Sequence, residues 1–258
     1  MVGIYLSGTG NTRYCTERLL HLLDSGAQAL PIEGAGTAKA VEENDVILLA
    51  YPVQFSNAPV MVRDFIKTHA ALWRGKQVFC VATMGAFSGD GAGCAARLLK
   101  RYGASILGGL HLRMPDSVCD VRLLKKPLEQ NRQIVLAADA KIEAVSAGIK
   151  AGSYPKDGLG FFYHMAGLLG QRLWFYRKTQ GYSNRLKISA ACVNCGLCLR
   201  LCPMKNITLQ GGRPLPGDRC TMCYRCISRC PQRAITLIGK AVYEQCRVER
   251  YLGNGTPL

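Results

Sequence analysis

The chain has 258 residues, 48% hydrophobic and 19% charged, enough for one large domain or two unequal ones and too apolar for a disordered polymer. Its longest apolar run, residues 159–170, is broken by His164, and its amino terminus lacks a basic signal region, so a cytoplasmic protein without a membrane span or secretory leader is expected. The net charge is +16, and 13 cysteines, an odd number without an export signal, suit metal better than a disulfide framework.

Short apolar runs of strand length occupy Val2–Leu6, Ala27–Ile32, Asp45–Tyr51, Gln77–Thr83 and Ser105–Leu112. The third is continuously apolar from Val46 to Leu49, as in a strand buried on both faces. Helix signals fall between them: Asn11 and Thr12 open a helix that Gly26 closes, Pro59 precedes Val60–Thr68, and Asp90–Tyr102 stops at Gly103. A long helix after Pro127 spaces Val135, Ile142 and Ile149 seven apart. Five strands alternating with helices predict a doubly wound parallel α/β sheet over residues 1–150.

The first strand runs into Ser7-Gly8-Thr9-Gly10-Asn11-Thr12, which opens a helix. A phosphate there would meet backbone N–H groups at a helix N-terminus and the hydroxyls of Ser7, Thr9 and Thr12. A Walker loop would need a lysine, and a dinucleotide fingerprint would need a third glycine where Arg13 stands. A hydroxyl-rich, uncharged loop suits a terminal phosphate monoester.

On this loop, of the form S/T-x-T-G-x-T, the domain resembles flavodoxin. The resemblance implies strand order 2-1-3-4-5 and FMN at the carboxyl ends of the strands. The flavin ring would then meet the loops after strands three and four. The first runs through Tyr51, Pro52, Val53, Gln54, Phe55, Ser56 and Asn57, and the second through Thr83, Met84, Gly85, Phe87, Gly89 and Asp90. Tyr51, Phe55 and Phe87 are candidates for ring stacking, with ordinary packing as the alternative for each. Residues 52–59 contain no glycine, where flavodoxins often use one to respond to flavin reduction, so weak stabilisation of the one-electron-reduced flavin is expected.

Residues 151–187 form a connector, with an aromatic stretch from Phe161 to Tyr176 followed by Arg177-Lys178. Its composition suits a membrane interface. Apolar residues nevertheless lie on nearly every side of the helical wheel, and burial between two domains is the favoured expectation. Basicity is concentrated late in the chain. Lys and Arg number 17 against 13 Asp and Glu in residues 1–150, 6 against 1 in 151–187, and 10 against 3 in 188–258.

Residues 188–258 carry an internal repeat. Cys192, Cys195, Cys198, Cys202, Pro203 and Ile207-Thr208-Leu209 recur 28 positions on as Cys220, Cys223, Cys226, Cys230, Pro231 and Ile235-Thr236-Leu237. Three thiolates so spaced can hold three corners of an iron–sulfur cube while the fourth reaches to a second cube. Assigned this way, Cys192, Cys195, Cys198 and Cys230 hold one [4Fe–4S] cluster, and Cys220, Cys223, Cys226 and Cys202 the other. Zinc, which usually takes two separated ligand pairs, and disulfides are the alternatives. The unit resembles bacterial-type two-cluster ferredoxins.

Each oxidised cube with its thiolates contributes about −2, leaving the chain near +12. Arg200, Arg219, Arg225, Arg229 and Arg233 alternate with the ligands, predicting raised cluster potentials and an acidic redox partner, with no nucleic-acid module visible. His21, His69, His111 and His164 lack metal-ligand spacing, and Cys15, Cys80, Cys94, Cys119 and Cys246 form no motif and read as small buried residues.

The whole chain resembles flavodoxin–ferredoxin fusion proteins of anaerobic bacteria and archaea. That resemblance implies an electron carrier linking a low-potential donor to a second partner through clusters and FMN. Two alternatives stand beside it: a flavin-dependent reductase of a small organic molecule fed by the clusters, and a flavin-free regulatory or scaffold protein.

Overall fold

A computed structural model describes residues 1–173, 181–182 and 184–253. The element order opens β1 (Val2–Tyr5), α1 (Asn11–Leu23), β2 (Gln28–Pro31), α2 (Thr37–Glu43), β3 (Val46–Pro52) and α3 (Val60–Thr68). It continues with β4 (Gln77–Met84), α4 (Gly91–Arg101), β5 (Ser105–Arg113) and α5 (Leu128–Lys150). All five strands are parallel, in the order β2-β1-β3-β4-β5, the flavodoxin-like order.

Alternate residues of each strand supply two cores. Ile47, Leu49 and Tyr51 of β3 face α2, α3 and α4, with Val41, Val62, Ile66, Trp73 and Leu99. Leu48 and Ala50 face α1 and α5, with Leu19, Leu20, Val135, Ala138 and Ile142. Leu48 and Leu49 are both fully buried, one in each core, and truncating either to alanine costs about 2–5 kcal/mol. Helix α5 ends where Gly152, at φ +82°, lets Ser153 N–H reach the Gly148 carbonyl at 2.8 Å. The chain then runs beside β5: Gly109 N–H bonds the Pro155 carbonyl and Asp157 N–H bonds the Gly109 carbonyl, both at 2.8 Å.

The connector places α6 at Phe161–Gly167 and continues through a π-helical turn, Leu168–Arg172. The expected burial does not hold here: Phe161, Phe162, Tyr163, Leu169 and Leu173 are exposed. Residues 174–176 of that expected helix, and Arg177-Lys178, lie outside the described residues.

The cysteine-rich unit is built from β6 (Lys187–Ile188) paired antiparallel with β9 (Ile235–Thr236), and the hairpin β7 (Ile207–Gln210)–β8 (Arg213–Pro216). The sequence repeat is also a conformational one. Short helices at Leu197–Leu201 and Arg225–Arg229 start 28 residues apart. Positive φ recurs at the same offset: Asn194 and Met222 at 55°, Gly196 at 71° and Tyr224 at 60°, Lys205 and Arg233 at 48°. Five of these six are not glycine. Such left-handed backbone is unfavourable for them and persists where the surroundings over-determine it, here loops curled between closely spaced cysteines. Among the described residues no helix is long and apolar enough to cross a membrane.

Candidate functional site

The carboxyl ends of the sheet strands open into a cleft of about 450 Å³, within the range of small-molecule sites. Its floor is the loop after β1. Gly10, at φ +94°, caps α1 and turns the chain so that Ser7, Thr9, Asn11 and Thr12 are all buried. Neighbouring loops hold this one in place. Thr9 Oγ1 lies 3.0 Å from Ser117 Oγ, Thr12 Oγ1 2.8 Å from Thr83 Oγ1, and Asn11 Nδ2 donates to the Pro115 carbonyl at 2.7 Å. Ser7 Oγ is buried without a protein partner. An orphaned hydroxyl in a loop at the start of a helix fits a phosphate ligand, whose oxygens would satisfy it.

The walls are the two loops expected from the sequence, together with residues the sequence did not point to. Pro52, Val53, Gln54 and Phe55 line one side and Thr83, Met84, Gly85 and Phe87 another. Residues 54–57 form a tight turn, with Gln54 and Asn57 exchanging two backbone hydrogen bonds at 3.0 Å and Phe55 and Ser56 at φ 50° and 56°. That turn type is normally filled by glycine or asparagine. Its shape is held instead by the connector: Gln171 bonds Ser56 Oγ at 2.8 Å and Arg172 Nε donates to the Ser56 carbonyl at 3.2 Å. Tyr182 stacks on Phe55 with ring centroids 6.5 Å apart.

Five expected residues are not brought to the cleft. Tyr51 is fully buried in the core, its hydroxyl donating to the Gly91 carbonyl at 2.6 Å, because alternation along β3 turns it beneath α4. Asp90 is fully buried and bound by Arg97, Arg172 and His164. Gly10, Asn57 and Gly89 shape their loops without lining the space. The sequence missed Asp116, Ser117, Gln171, Tyr182, Met222 and Ile238, which do line it.

The cysteine-rich unit seals this cleft by backbone contact. A Cβ on Gly8 would fall 2.8 Å from the Cys223 carbonyl carbon and closer still to its oxygen. Gln54 Nε2 donates to the Thr221 carbonyl at 2.8 Å, and Arg225 Nη2 donates to the Ser7 carbonyl at 2.8 Å while pairing with Glu33 at 2.6 Å. Val248 N–H bonds the Thr9 carbonyl at 2.9 Å. Buried Asp120, after β5, accepts from Tyr224 Oη at 2.9 Å and from the N–H groups of Leu237, Ile238 and Gly239 at 2.6, 2.9 and 3.1 Å.

Of the eight repeat cysteines, Cys192, Cys195, Cys198 and Cys230 line one cavity together with Cys226. Burial pushes the Cys220 thiol up to about 11, and its neighbours Cys223 and Cys202 add to the rise. Cys226 is raised by burial and then by Cys223, Cys220, Cys202 and Cys198. Burial and neighbouring thiols thus oppose ionisation at Cys220, Cys223 and Cys226, which a cationic core would offset. The backbone supplies matching sulfur contacts in both copies: Asn206 N–H to Cys202 Sγ at 3.3 Å and Ala234 N–H to Cys230 Sγ at 3.4 Å. Among the described residues, no three His, Cys, Asp or Glu side chains converge on one ion position.

Of the five interleaved arginines, Arg200, Arg219 and Arg233 are exposed, while Arg225 is spent on the domain contact and Arg229 pairs with Glu249 at 3.0 Å. Two cysteines read as unrelated also meet. Cys119 and Cys246 are buried together, and Lys125 Nζ lies 2.9 Å from Cys246 Sγ. The Cys119 hydrogen bond, then Lys125, hold the Cys246 thiol below its usual range.

Residues 191–234 match the family model described as a 4Fe-4S dicluster domain. No curated protein matches the chain. Solved structures similar to it include a flavodoxin from the domain Archaea, 15% identical, covering 58% of this chain and 97% of that one with a TM-score of 0.43. The two-electron reduced flavodoxin of Megasphaera elsdenii is 24% identical over 55% of this chain and 99% of that one, TM-score 0.40. Flavodoxin 2 of Bacillus cereus is 16% identical over 58% and 97%, TM-score 0.43. At such scores these likenesses add nothing to the strand order, which stands on its own. The chain joins a flavodoxin-like fold to a 4Fe–4S dicluster domain, a combination built for electron transfer.

Proposed function

We propose that the cleft takes FMN, that the two cysteine sets hold two [4Fe–4S] clusters, and that electrons pass between clusters and flavin within one chain. The observation that carries this reading is the seat of Cys223: a ligand of the second set packs its own carbonyl against Gly8 of the phosphate loop. When bound, the flavin supplies a two-electron store and the cubes single-electron passage.

The chain's residues give this arrangement an order. Cys195 of the first set is exposed, so that set is the outer end. Cys223 and Met222 line the cleft, so the second set is the inner end. Exposed Arg200, close in sequence to Cys198, and Arg233, close to Cys230, favour an acidic protein partner at the outer end. Ser7 and the backbone after β1 bind the phosphate, while Phe55, Phe87 and Tyr182 offer apolar ring faces elsewhere in the cleft. Anaerobic purification with iron, sulfide and flavin counting tests the reading: about eight irons and one FMN per chain support it. Zinc in place of iron defeats it, and iron without flavin leaves the scaffold role.

A flavin-dependent reductase is the second reading. It is favoured by the roof that Gln171, Tyr182, Met222 and Ile238 set over the cleft, which suits a small substrate better than a docking protein. Steady-state reduction of a soluble quinone by the chemically reduced protein separates the two.

A further inference from the structure

Surface helices of water-soluble proteins turn their apolar side inward and their polar side to solvent. The segment Phe161–Leu173 does the reverse. His164 Nδ1 bonds Asp90 Oδ2 at 2.8 Å, Arg172 pairs with the other Asp90 oxygen, and Gln171 bonds Ser56 at 2.8 Å. Gly167 packs so closely on the loop after β4 that a Cβ there would meet the Asp90 backbone nitrogen at 3.0 Å. These groups all point into the protein. Outward stand Phe161 at 71% exposure, Phe162 at 86%, Leu169 at 56% and Leu173 at 62%.

The inversion is held by strong interactions. Asp90 is fully buried and bound by three basic side chains, two of them from this segment. Rolling the helix to hide its aromatics would strip a buried carboxylate of His164 and Arg172 and leave it short of counter-charge. The apolar face is therefore locked outward.

We infer that this face lies on an anionic membrane surface, with Phe161, Phe162, Leu169 and Leu173 entering the headgroup–acyl boundary. Two observations choose lipid over a protein partner. A protein interface carries about one hydrogen bond per 100–200 Å², and this face turns its polar groups inward and leaves mainly rings and leucines outside. The charge also fits: the sequence carries a net +16, and residues 151–187, Arg172 set aside because it is spent on Asp90, hold 5 basic against 1 acidic residue, and a basic protein with an exposed aromatic helix is drawn to anionic headgroups. The same helix walls a cavity of about 440 Å³ that shares Met84, Ala86 and Phe87 with the cleft, so the membrane face lies beside the cleft.

The test is co-sedimentation of the full-length protein, purified without air, with vesicles of phosphatidylcholine alone and of phosphatidylcholine mixed with phosphatidylglycerol. Binding is expected to the mixed vesicles at physiological salt and to weaken as salt rises. The double variant Phe162→Ser/Leu169→Ser, altering two exposed side chains, should lower the partition coefficient by about tenfold or more while leaving the thermal transition and iron content unchanged. No binding to mixed vesicles overturns the inference, as does equal binding by the double variant. So does a concentration-dependent dimer, seen in the ultracentrifuge and abolished by the same substitutions, which would assign the face to a second copy of the chain.

Discussion

Gly8→Ala probes the contact on which the functional reading rests. A Cβ at residue 8 would lie 2.8 Å from the Cys223 carbonyl carbon, where ordinary contact begins at 3.4 Å, so that carbon must retreat by at least 0.6 Å and its oxygen by more. The obstacle is backbone and cannot swing away. Cys223 is further pinned by Gln54 on the Thr221 carbonyl and by Arg225 on Ser7. Overpacking of this kind costs about 1–3 kcal/mol, which lowers the melting temperature of a chain this size by about 3–10 °C. Gly36→Ala is the control, because a Cβ there meets nothing within 4 Å and φ is −89°. Calorimetry of both variants, with hydrogen exchange read at residues 221–225, should show a lower transition and loosened amides only in Gly8→Ala. Equal behaviour of the two variants would mean that Cys223 does not rest on the phosphate loop, and the inner-end assignment would fall with it.

Asp120→Ala would remove the acceptor of three N–H groups, that of Leu237 buried, and of the buried Tyr224 hydroxyl, and hydrogen bonds to a charged group are worth about 1.5–3 kcal/mol each. A loss of about 3 kcal/mol or more is expected in the denaturant midpoint analysis, and Tyr224→Phe should lose about half as much. Burial holds the His111 imidazole below its ordinary range, against the pull of Asp157. The unfolded chain thus takes up the proton first, so stability contributed by His111 is present above about pH 6.5 and is lost as pH falls below it. Denaturation midpoints across that range should drop in the parent and flatten in His111→Asn; parallel curves would contradict the burial argument. Cys223→Ser should reduce iron from about eight to about four per chain while flavin is retained, counted by metal and flavin analysis.

The sheet was legible because a parallel strand buried on both faces has to be continuously apolar, and Val46–Leu49 is. Helix α2 left little mark, since only Thr37 and Val41 of its seven residues are buried. Tyr51 was misplaced for a reason of parity: it continues the side of β3 that carries Ile47 and Leu49, which leads under α4 and away from the strand's open end. The cysteine repeat was legible through spacing alone, and its 28-residue offset returns in the backbone at Asn194 and Met222 and at Lys205 and Arg233. The direction of Arg225 could not be read the same way, because its partners Ser7 and Glu33 lie some two hundred residues away and are met only once the two halves dock. Tyr182, Gln171 and Met222 stayed hidden for the same reason.

Docking also changes what the phosphate-loop glycines are for. In an isolated sheet, a glycine at position 8 would answer only to the ligand. Here a Cβ on Gly8 collides with Cys223, and one on Gly10 would lie 2.6 Å from Val248 Cγ1. The second half of the chain thus depends on the same small residues that the proposed phosphate site does. On the opposite side the relation is reciprocal: a Cβ on Gly239 would fall 2.7 Å from the Asp120 carbonyl carbon, so the cysteine-rich unit also thins itself to approach the loop after β5. Backbone-to-backbone contact on both sides leaves no room for a layer of side chains between the inner cysteine set and the cleft. A hinge that opened this interface would have to break the Asp120 cluster, the Arg225–Glu33 pair and the Val248–Thr9 bond together. The two halves therefore behave as one cooperative unit in which cleft and cysteine-rich unit are built against each other.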